Sequence, residues 1–133
     1  RHFLREDLGQ TDTSLVIHDG CGLCTYNHLS PVALTAILRY GYKDKPIYRM
    51  LNKHLSISGV DGTLRRELND SKLRGKIHAK TGTLSHPYGI SSLAGYCDGG
   101  NGHTLAFSIV NTEMSVLDAR VLQDRLCRNL VEK

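Results

Sequence analysis

Long hydrophobic runs are missing from this sequence of 133 residues. No apolar stretch approaches the roughly 20 residues that a membrane-spanning helix needs, so no such helix is predicted. A strong charge of one sign is also missing, because 17 Lys and Arg stand against 13 Asp and Glu, for a net charge of +4. With 40% hydrophobic and 23% charged residues, the composition is that of a globular protein rather than a disordered chain. The length suits one domain with a modest core.

Aromatic residues are absent from the one window in which the basic excess is concentrated. Residues 65–80 contain six basic and two acidic side chains, so this window holds +4, as much as the whole chain. Without aromatic platforms or a recognised binding module, nucleic-acid binding is not predicted. Two interpretations stay open for the window: a solvated surface, or a site for an anionic group.

Cysteine is scarce, and its spacing suits a metal site poorly. Cys21 and Cys24 have the CxxC spacing that can hold a metal ion or exchange thiols with disulfides. No second ligand pair accompanies them, and Cys97 and Cys127 have no histidine at ligand spacing. A redox CxxC should also open a helix, whereas the next helix start is at Ser30. We therefore predict no metal or other cofactor and favour packed thiols, with a disulfide left open.

The first half of the chain is predicted to be mainly helical. Three helices are expected over 30–41, 46–54 and 63–68, after a short buried strand or extended segment at 13–18. Ser30 can cap the first of these helices, and Pro31 occupies the first position, where its missing N–H costs nothing. In the second helix Ile47, Met50 and Leu51 are expected to face inward.

The second half changes to the alternation of strands. Strands are expected over 75–83, 90–97 and 103–111, followed by a helix over 115–131. The glycine-rich turn at 98–102 joins the last two strands. Ala119, Leu122, Leu126 and Leu130 define the predicted apolar stripe of the helix. The predicted fold class is α+β: early helices, a three-stranded antiparallel meander, and a closing C-terminal helix that covers one face of the sheet.

One strand carries the tripeptide Lys80-Thr81-Gly82, followed by Thr83. An ammonium group and two hydroxyls along one strand can hold a carboxylate, and a backbone N–H at Thr83 can face a developing oxyanion. Glycine allows a ligand to approach the backbone closely. This arrangement occurs in enzymes that acylate a serine with a peptide or β-lactam carbonyl.

Longer blocks around this tripeptide resemble a known family. They are LVIHDGCGLCTYNHLSP (15–31), SGVDGTLRREL (58–68), GKIHAKTGTLS (75–85) and SSLAGYCDG (91–99). In this order and spacing they resemble the D-alanyl-D-alanine carboxypeptidase/endopeptidases, the class C low-molecular-mass penicillin-binding proteins. The resemblance implies a β-lactamase/transpeptidase-like fold, a serine peptidase of peptidoglycan stem peptides that also binds β-lactams, and a bacterial periplasm or cell-envelope location.

The resemblance also implies roles for four residues. Lys80 would supply positive charge near a serine of a Ser-x-Asn element, and the Thr81 and Thr83 hydroxyls would hold the substrate carboxylate. The Thr83 N–H would be one of two oxyanion donors. Gly82 would keep the strand bare where the substrate lies. We therefore expect Lys80 and Thr83 to be catalytic residues and all four to bind substrate.

The chain departs from the family in its serine motifs. No serine has Lys three residues later, and none has Asn two residues later. In the family these motifs lie upstream, so residues 1–133 are interpreted as the C-terminal part of a penicillin-binding transpeptidase-like domain. Its partner would be the missing N-terminal part of the same protein, and the fragment alone would be inactive.

Two local departures concern the edges of the expected cleft. Cys21 and Cys24 stand where the family has serine in DGSGLS, which we interpret as a tolerated replacement. The sequence His86-Pro87-Tyr88 lengthens the turn after the KTG strand, and His78 and His86 are interpreted as rim residues. Two alternatives to the enzyme remain: a non-catalytic remnant that binds peptidoglycan or a partner protein, and, less favoured, a CxxC thiol or metal module.

Overall fold

Helices occupy the first part of the chain and strands the second, as the computed structural model of residues 2–84, 86 and 88–133 describes them. The elements are α1 (His2–Glu6), α2 (Pro31–Lys43), α3 (Lys45–His54), β1 (Ser56–Ile57), a 3₁₀ turn (Gly62–Leu64), β2 (Ile77–Leu84), β3 (Ile90–Asp98), β4 (Thr104–Asn111) and α4 (Val116–Val131). The α+β prediction is confirmed. Within the described residues no helix is both long enough and apolar enough to cross a membrane.

The predicted helix caps are confirmed at α2. The Ser30 hydroxyl accepts a hydrogen bond from the Ala33 N–H at 3.1 Å, and Pro31 is the first helical residue. The helix continues to Lys43, past the predicted end near Gly41, and Asp44 caps α3 through the Ile47 N–H at 3.2 Å. Glycine at position 41 lets α3 and β3 approach α2, because a Cβ there would lie 2.9 Å from a Leu51 methyl carbon.

Two expectations for the first half are wrong. Met50 does not face inward, since it is 60% exposed. The predicted helix over 63–68 is reduced to the 3₁₀ turn, with Leu68 at a positive φ of 49°, because this segment turns back toward the sheet rather than continuing along one axis. The segment 13–18, for which a short buried strand or an extended segment was expected, forms no strand and makes a single antiparallel bridge between Val16 and His28.

The four strands form one antiparallel sheet in the order β1-β2-β3-β4. The expected meander of three strands is confirmed, with Lys80 opposite Ala94 and Ser91 opposite Asn111. The two-residue β1 adds a fourth strand that the sequence did not suggest. It pairs with only His78 and Ala79 at the start of β2.

Helices cover both faces of the sheet, as predicted: α2 packs mainly on β4, and α4 packs on β3 and β4 from the other side. The predicted stripe of α4 is right for Ala119, which is buried, and for Leu130, which packs against the core. The helix also buries Gln123, Cys127 and Val131. Leu122 and Leu126 are 39% and 40% exposed. Smaller side chains at 119 and 127 allow the helix to lie close to the sheet, which rotates these two leucines to the flank.

A buried serine fixes the start of β2. Ser58 is fully buried, and its hydroxyl donates to the Leu73 carbonyl at 2.5 Å and accepts from the Ile77 N–H at 3.1 Å. The Ser58 N–H donates to the Ile77 carbonyl at 2.9 Å. One residue therefore joins the end of β1, the segment before β2 and the first residue of β2.

Replacement of this hydroxyl should destabilise the chain. Ser58→Ala leaves the buried Ile77 N–H without its partner, while the Leu73 carbonyl keeps the bond from the Lys76 N–H at 3.0 Å. One unsatisfied buried group costs about 1–3 kcal/mol. We expect the free energy of unfolding in urea to fall by an amount in that range. Ser71→Ala is the matched control, because Ser71 is exposed. Equal stability of the two variants would contradict the anchoring role of Ser58.

Candidate functional site

Strand β2 has an edge that is paired only over its first residues. Beyond Ala79, within the described residues, no strand lies on the outer side of Lys80–Leu84. Backbone groups of alternate residues in a strand point to opposite edges. The Ile77 carbonyl points to the β1 side, where it accepts from Ser58, so the N–H and C=O of Thr81 and Thr83 point to that same open edge.

The predicted site residues are all on this strand, but their side chains lie on two faces. Ile77 and Ala79 are buried on the face toward α4, and by alternation Thr81 and Thr83 share that face. Lys80 and Gly82 belong to the opposite face. The Lys80 Nζ returns to the edge and donates to the Thr81 carbonyl at 2.6 Å. The ammonium and the hydroxyls thus meet only at the edge of the strand.

Glycine at position 82 is required by the neighbouring strand. A Cβ there would lie 2.5 Å from the Ser92 hydroxyl, which belongs to the residue directly opposite in β3. The bare backbone expected from the sequence is therefore accounted for by the Ser92 side chain. Because Gly82 has no side chain, the strand is also bare between the side chains of Lys80 and Leu84, which lie on the same face.

The turn before β2 holds a third hydroxyl against the strand. The Asp61 carboxylate accepts from the Ile57 N–H at 2.7 Å, and the Ser56 hydroxyl accepts from the Thr63 N–H at 3.2 Å. These bonds place the Thr63 hydroxyl where it accepts from the Thr81 hydroxyl at 2.9 Å. Sequence reasoning did not propose Thr63 as a site residue, although the block SGVDGTLRREL that contains it was a usable signal.

A cavity of about 210 Å³ lies beneath these hydroxyls. Its polar lining residues are Thr63, Thr81, Thr83, Ser91, Ser92, Glu67, Arg120 and Gln123. The Arg120 guanidinium is 3.1 Å from the Glu67 carboxylate, and the two side chains are 49% and 36% exposed. Arg120 was missed by sequence reasoning, because nothing local relates a residue of α4 to the KTG strand.

A second groove, of about 470 Å³, begins at the far end of β2. Leu84, Ser92 and Tyr88 line one side, and Cys24, Thr25 and Asn27 line the other. The loop that contains Cys21 and Cys24 thus lies beside the KTG strand. The groove is open and large enough for an extended peptide segment.

A carboxylate organises the cysteine loop. The Asp19 carboxylate accepts from the N–H groups of Gly22 and Cys24 at 2.9 and 2.8 Å and from the Asn27 amide at 2.8 Å. The hydrogen bond from Asn27, then that from Gly22, lowers the pKa of Asp19 to about 2. The Cys21 thiol lies 3.5 Å from the same carboxylate. Both cysteines are free thiols, and the described residues contain no group of three or more His, Cys, Asp or Glu that could hold a metal ion.

The two histidines differ in their surroundings. His86 is exposed, as expected for a rim residue, whereas His78 is half-buried on β2. The lengthened turn at 86–88 lies partly outside the described residues, which do not include Ser85 and Pro87.

The basic window 65–80 is tied into the fold only in part, since Arg65, Arg66 and Lys76 are exposed. Arg74 donates to the Gly59 carbonyl at 2.5 Å, and Lys72 pairs with Glu132 at 3.5 Å. The two acidic residues of the window, Glu67 and Asp70, pair with arginines of α4. Lys80 is the basic residue of the window that lies on the KTG strand, and Glu67 lines the cavity beneath it.

Comparison with known proteins now identifies the family. The model of the D-Ala-D-Ala carboxypeptidase 3 (S13) family matches residues 2–131. The chain belongs to this family. Its members are peptidases, and the resemblance seen in the motif blocks is thereby confirmed. A curated relative, the D-alanyl-D-alanine carboxypeptidase of Actinomadura sp. (strain R39), is 33% identical over 130 residues. The match covers 94% of this chain and 23% of that enzyme.

The thiols should fall into two reactivity classes. Cys21 is exposed and Cys24 is half-buried, whereas burial raises the pKa of Cys97 to about 11 and that of Cys127 to about 12. The thiolate is the nucleophile, so at pH 8 a maleimide should label two cysteines in the folded chain and four after unfolding. Mass spectrometry of labelled peptides measures this.

The double variant Cys21→Ser/Cys24→Ser is the control and should take no label while folded. Labelling of Cys127 in the folded chain at the rate of Cys21 would contradict the assignment.

Proposed function

We propose that this chain is the substrate-binding part of a serine-type D-Ala-D-Ala carboxypeptidase that acts on peptidoglycan stem peptides in the cell envelope, in the periplasm where the cell has one. The observation that carries the proposal is the open edge of β2, at which Thr81 and Thr83 present backbone groups beside hydroxyls and an ammonium. The family match supports the reaction class.

An open strand edge binds extended peptides by adding them as a further strand. The N–H groups of Thr81 and Thr83 and the C=O of Thr83 are the groups for such pairing, while the Thr81 C=O already accepts from the Lys80 Nζ. A stem peptide that ends at this edge would bring its terminal carboxylate to the hydroxyls. The adjoining groove at Leu84 and Cys24 has room for the remainder of the peptide. The same edge would take the amide and carboxylate of a β-lactam.

In the proposed reaction a serine from outside this chain attacks the carbonyl of the D-Ala-D-Ala bond, and the lysine of its own Ser-x-x-Lys motif takes the serine proton. The C–N bond then breaks and the terminal D-Ala leaves with its amine protonated. The Thr83 N–H stabilises the negative charge that develops on the carbonyl oxygen, together with a second N–H from the nucleophile's own segment. Lys80 contributes positive charge at the same edge. Water then releases the acyl group from the serine.

The nucleophile segment is the proposed partner of this chain, as the missing N-terminal part of the same protein. Two features of the fold support a longer enzyme. Within the described residues β4 has β3 as its only neighbour in the sheet, and Leu122 and Leu126 are partly exposed on the flank of α4. Unpaired edges and exposed leucines are usually covered in a complete domain. The share of the Actinomadura enzyme that the chain matches is also small.

The role of Lys80 is tested by acylation with a fluorescent penicillin, in the complete protein or in this chain together with its nucleophile segment. Lys80→Ala removes charge that stabilises the acylation transition state, so we expect acylation to slow by about 10²- to 10³-fold. Lys76→Ala is the matched control, because it removes the same charge from an exposed residue that lies before the open edge. It should acylate at close to the wild-type rate.

The isolated chain should take no label, because the serine motifs lie outside its sequence. If the complete protein takes no label, the proposed enzymatic function is wrong, and the alternative of a non-catalytic remnant that binds peptidoglycan is favoured. Unchanged acylation in Lys80→Ala would remove only Lys80 from the mechanism.

A further inference from the structure

The cavity beneath the threonine hydroxyls is lined by a cationic side chain that does not belong to the KTG motif. Lys80 lies on the other face of β2 and its Nζ is bonded to the Thr81 carbonyl. The hydroxyls of Thr81 and Thr83 therefore need positive charge from their own side of the sheet if they are to hold a carboxylate in a partly buried place. Arg120 of α4 lines that cavity.

The structure holds α4 in a fixed position at this cavity. Gln123, one turn after Arg120, is buried, and its amide donates to the Asn111 side-chain oxygen at 2.9 Å and the Ser91 hydroxyl at 3.3 Å. These bonds join α4 to β3 and β4. Arg120 is thereby placed at the rim of the cavity rather than in free solvent.

The Arg120 side chain is both oriented and available. Its contact with Glu67 at 3.1 Å holds the guanidinium at the boundary between this cavity and a groove on the flank of α4, both of which the two residues line. A guanidinium has five N–H donors in a fixed planar arrangement, so one carboxylate does not use them all. The side chain is 49% exposed and can be reached from solvent.

We propose that Arg120 is a specificity residue that binds the C-terminal carboxylate of the substrate, together with the hydroxyls of Thr81 and Thr83. The inference rests on the proposed function and extends it. Charge-assisted hydrogen bonds from arginine to a carboxylate are among the strongest in proteins and select the ionised group over a neutral one. The site should therefore distinguish a free peptide C-terminus from an amide.

The test compares two probes, N-acetyl-D-Ala-D-Ala and its C-terminal carboxamide. Their Kd values are measured with the complete protein, or with this chain and its nucleophile segment. The wild type should prefer the carboxylate, and Arg120→Gln should lower this preference about 10- to 100-fold, the range expected for loss of a hydrogen bond to a charged group. Arg120→Lys keeps the charge but not the planar pair of donors, so its preference should lie between the two.

Arg128→Gln is the matched control. It removes the same charge from the same helix, but Arg128 pairs with Asp124 and Asp70 and does not line the cavity. Its preference should equal that of the wild type, and circular dichroism of all variants verifies folding. A wild-type preference in Arg120→Gln, or an equal loss in Arg128→Gln, overturns the proposal.

Acylation by fluorescent penicillin separates this inference from the proposed function. Acylation with an unchanged preference in Arg120→Gln overturns only the role of Arg120. A preference that depends on Arg120, without any acylation, overturns only the proposed enzymatic function. If the protein shows neither acylation nor a preference for the carboxylate, both proposals are overturned.

Discussion

Backbone groups at the edge of a sheet need partners, and the structure leaves those of Thr81 and Thr83 without a neighbouring strand among the described residues. The reason lies in β1, which ends after Ile57. The chain turns away there because the Asp61 carboxylate takes the Ile57 N–H, and the Ser58 hydroxyl is buried between Leu73 and Ile77. A longer β1 would close the edge. The short strand and its turn therefore determine where a peptide can pair.

Strand alternation divides the chemistry of this edge between two faces. Lys80 and the bare Gly82 belong to one face, and the threonine hydroxyls and Arg120 belong to the other. Under the proposed function, the Lys80 face supplies positive charge near the scissile bond, and the face with the hydroxyls and Arg120 binds the terminal carboxylate. The backbone of the strand lies between them and fixes their separation. Two cations on opposite sides of one strand can then act on two negative groups of one substrate without competing for either.

Local signals in the sequence predicted most of the elements but not their contacts. Ser30 and Pro31 gave the start of α2, and the glycine-rich turn gave the boundary between β3 and β4, because caps and turns depend on neighbouring residues. The face of α4 was predicted only in part: Ala119 and Leu130 contact the core, but Leu122 and Leu126 lie on the flank, where Cys127 takes the place against the sheet. The site was predicted only where it is local, on the KTG strand. Thr63 is 18 residues from Thr81 along the chain, and α4 is further still.

The main hydrogen bonds of the cysteine loop come from groups that are the same whether serine or cysteine stands at 21 and 24. The hydrogen bonds that hold the loop come from the N–H groups of Gly22 and Cys24 and from the Asn27 amide, and all converge on Asp19. Two of these donors are backbone groups, so they do not depend on whether serine or cysteine stands at 21 and 24. Gly22 has a φ of +78°, which glycine adopts without strain. The residues that shape the loop are thus Asp19, Gly22 and Asn27, while the thiols change only the chemical character of the groove wall beside the KTG strand.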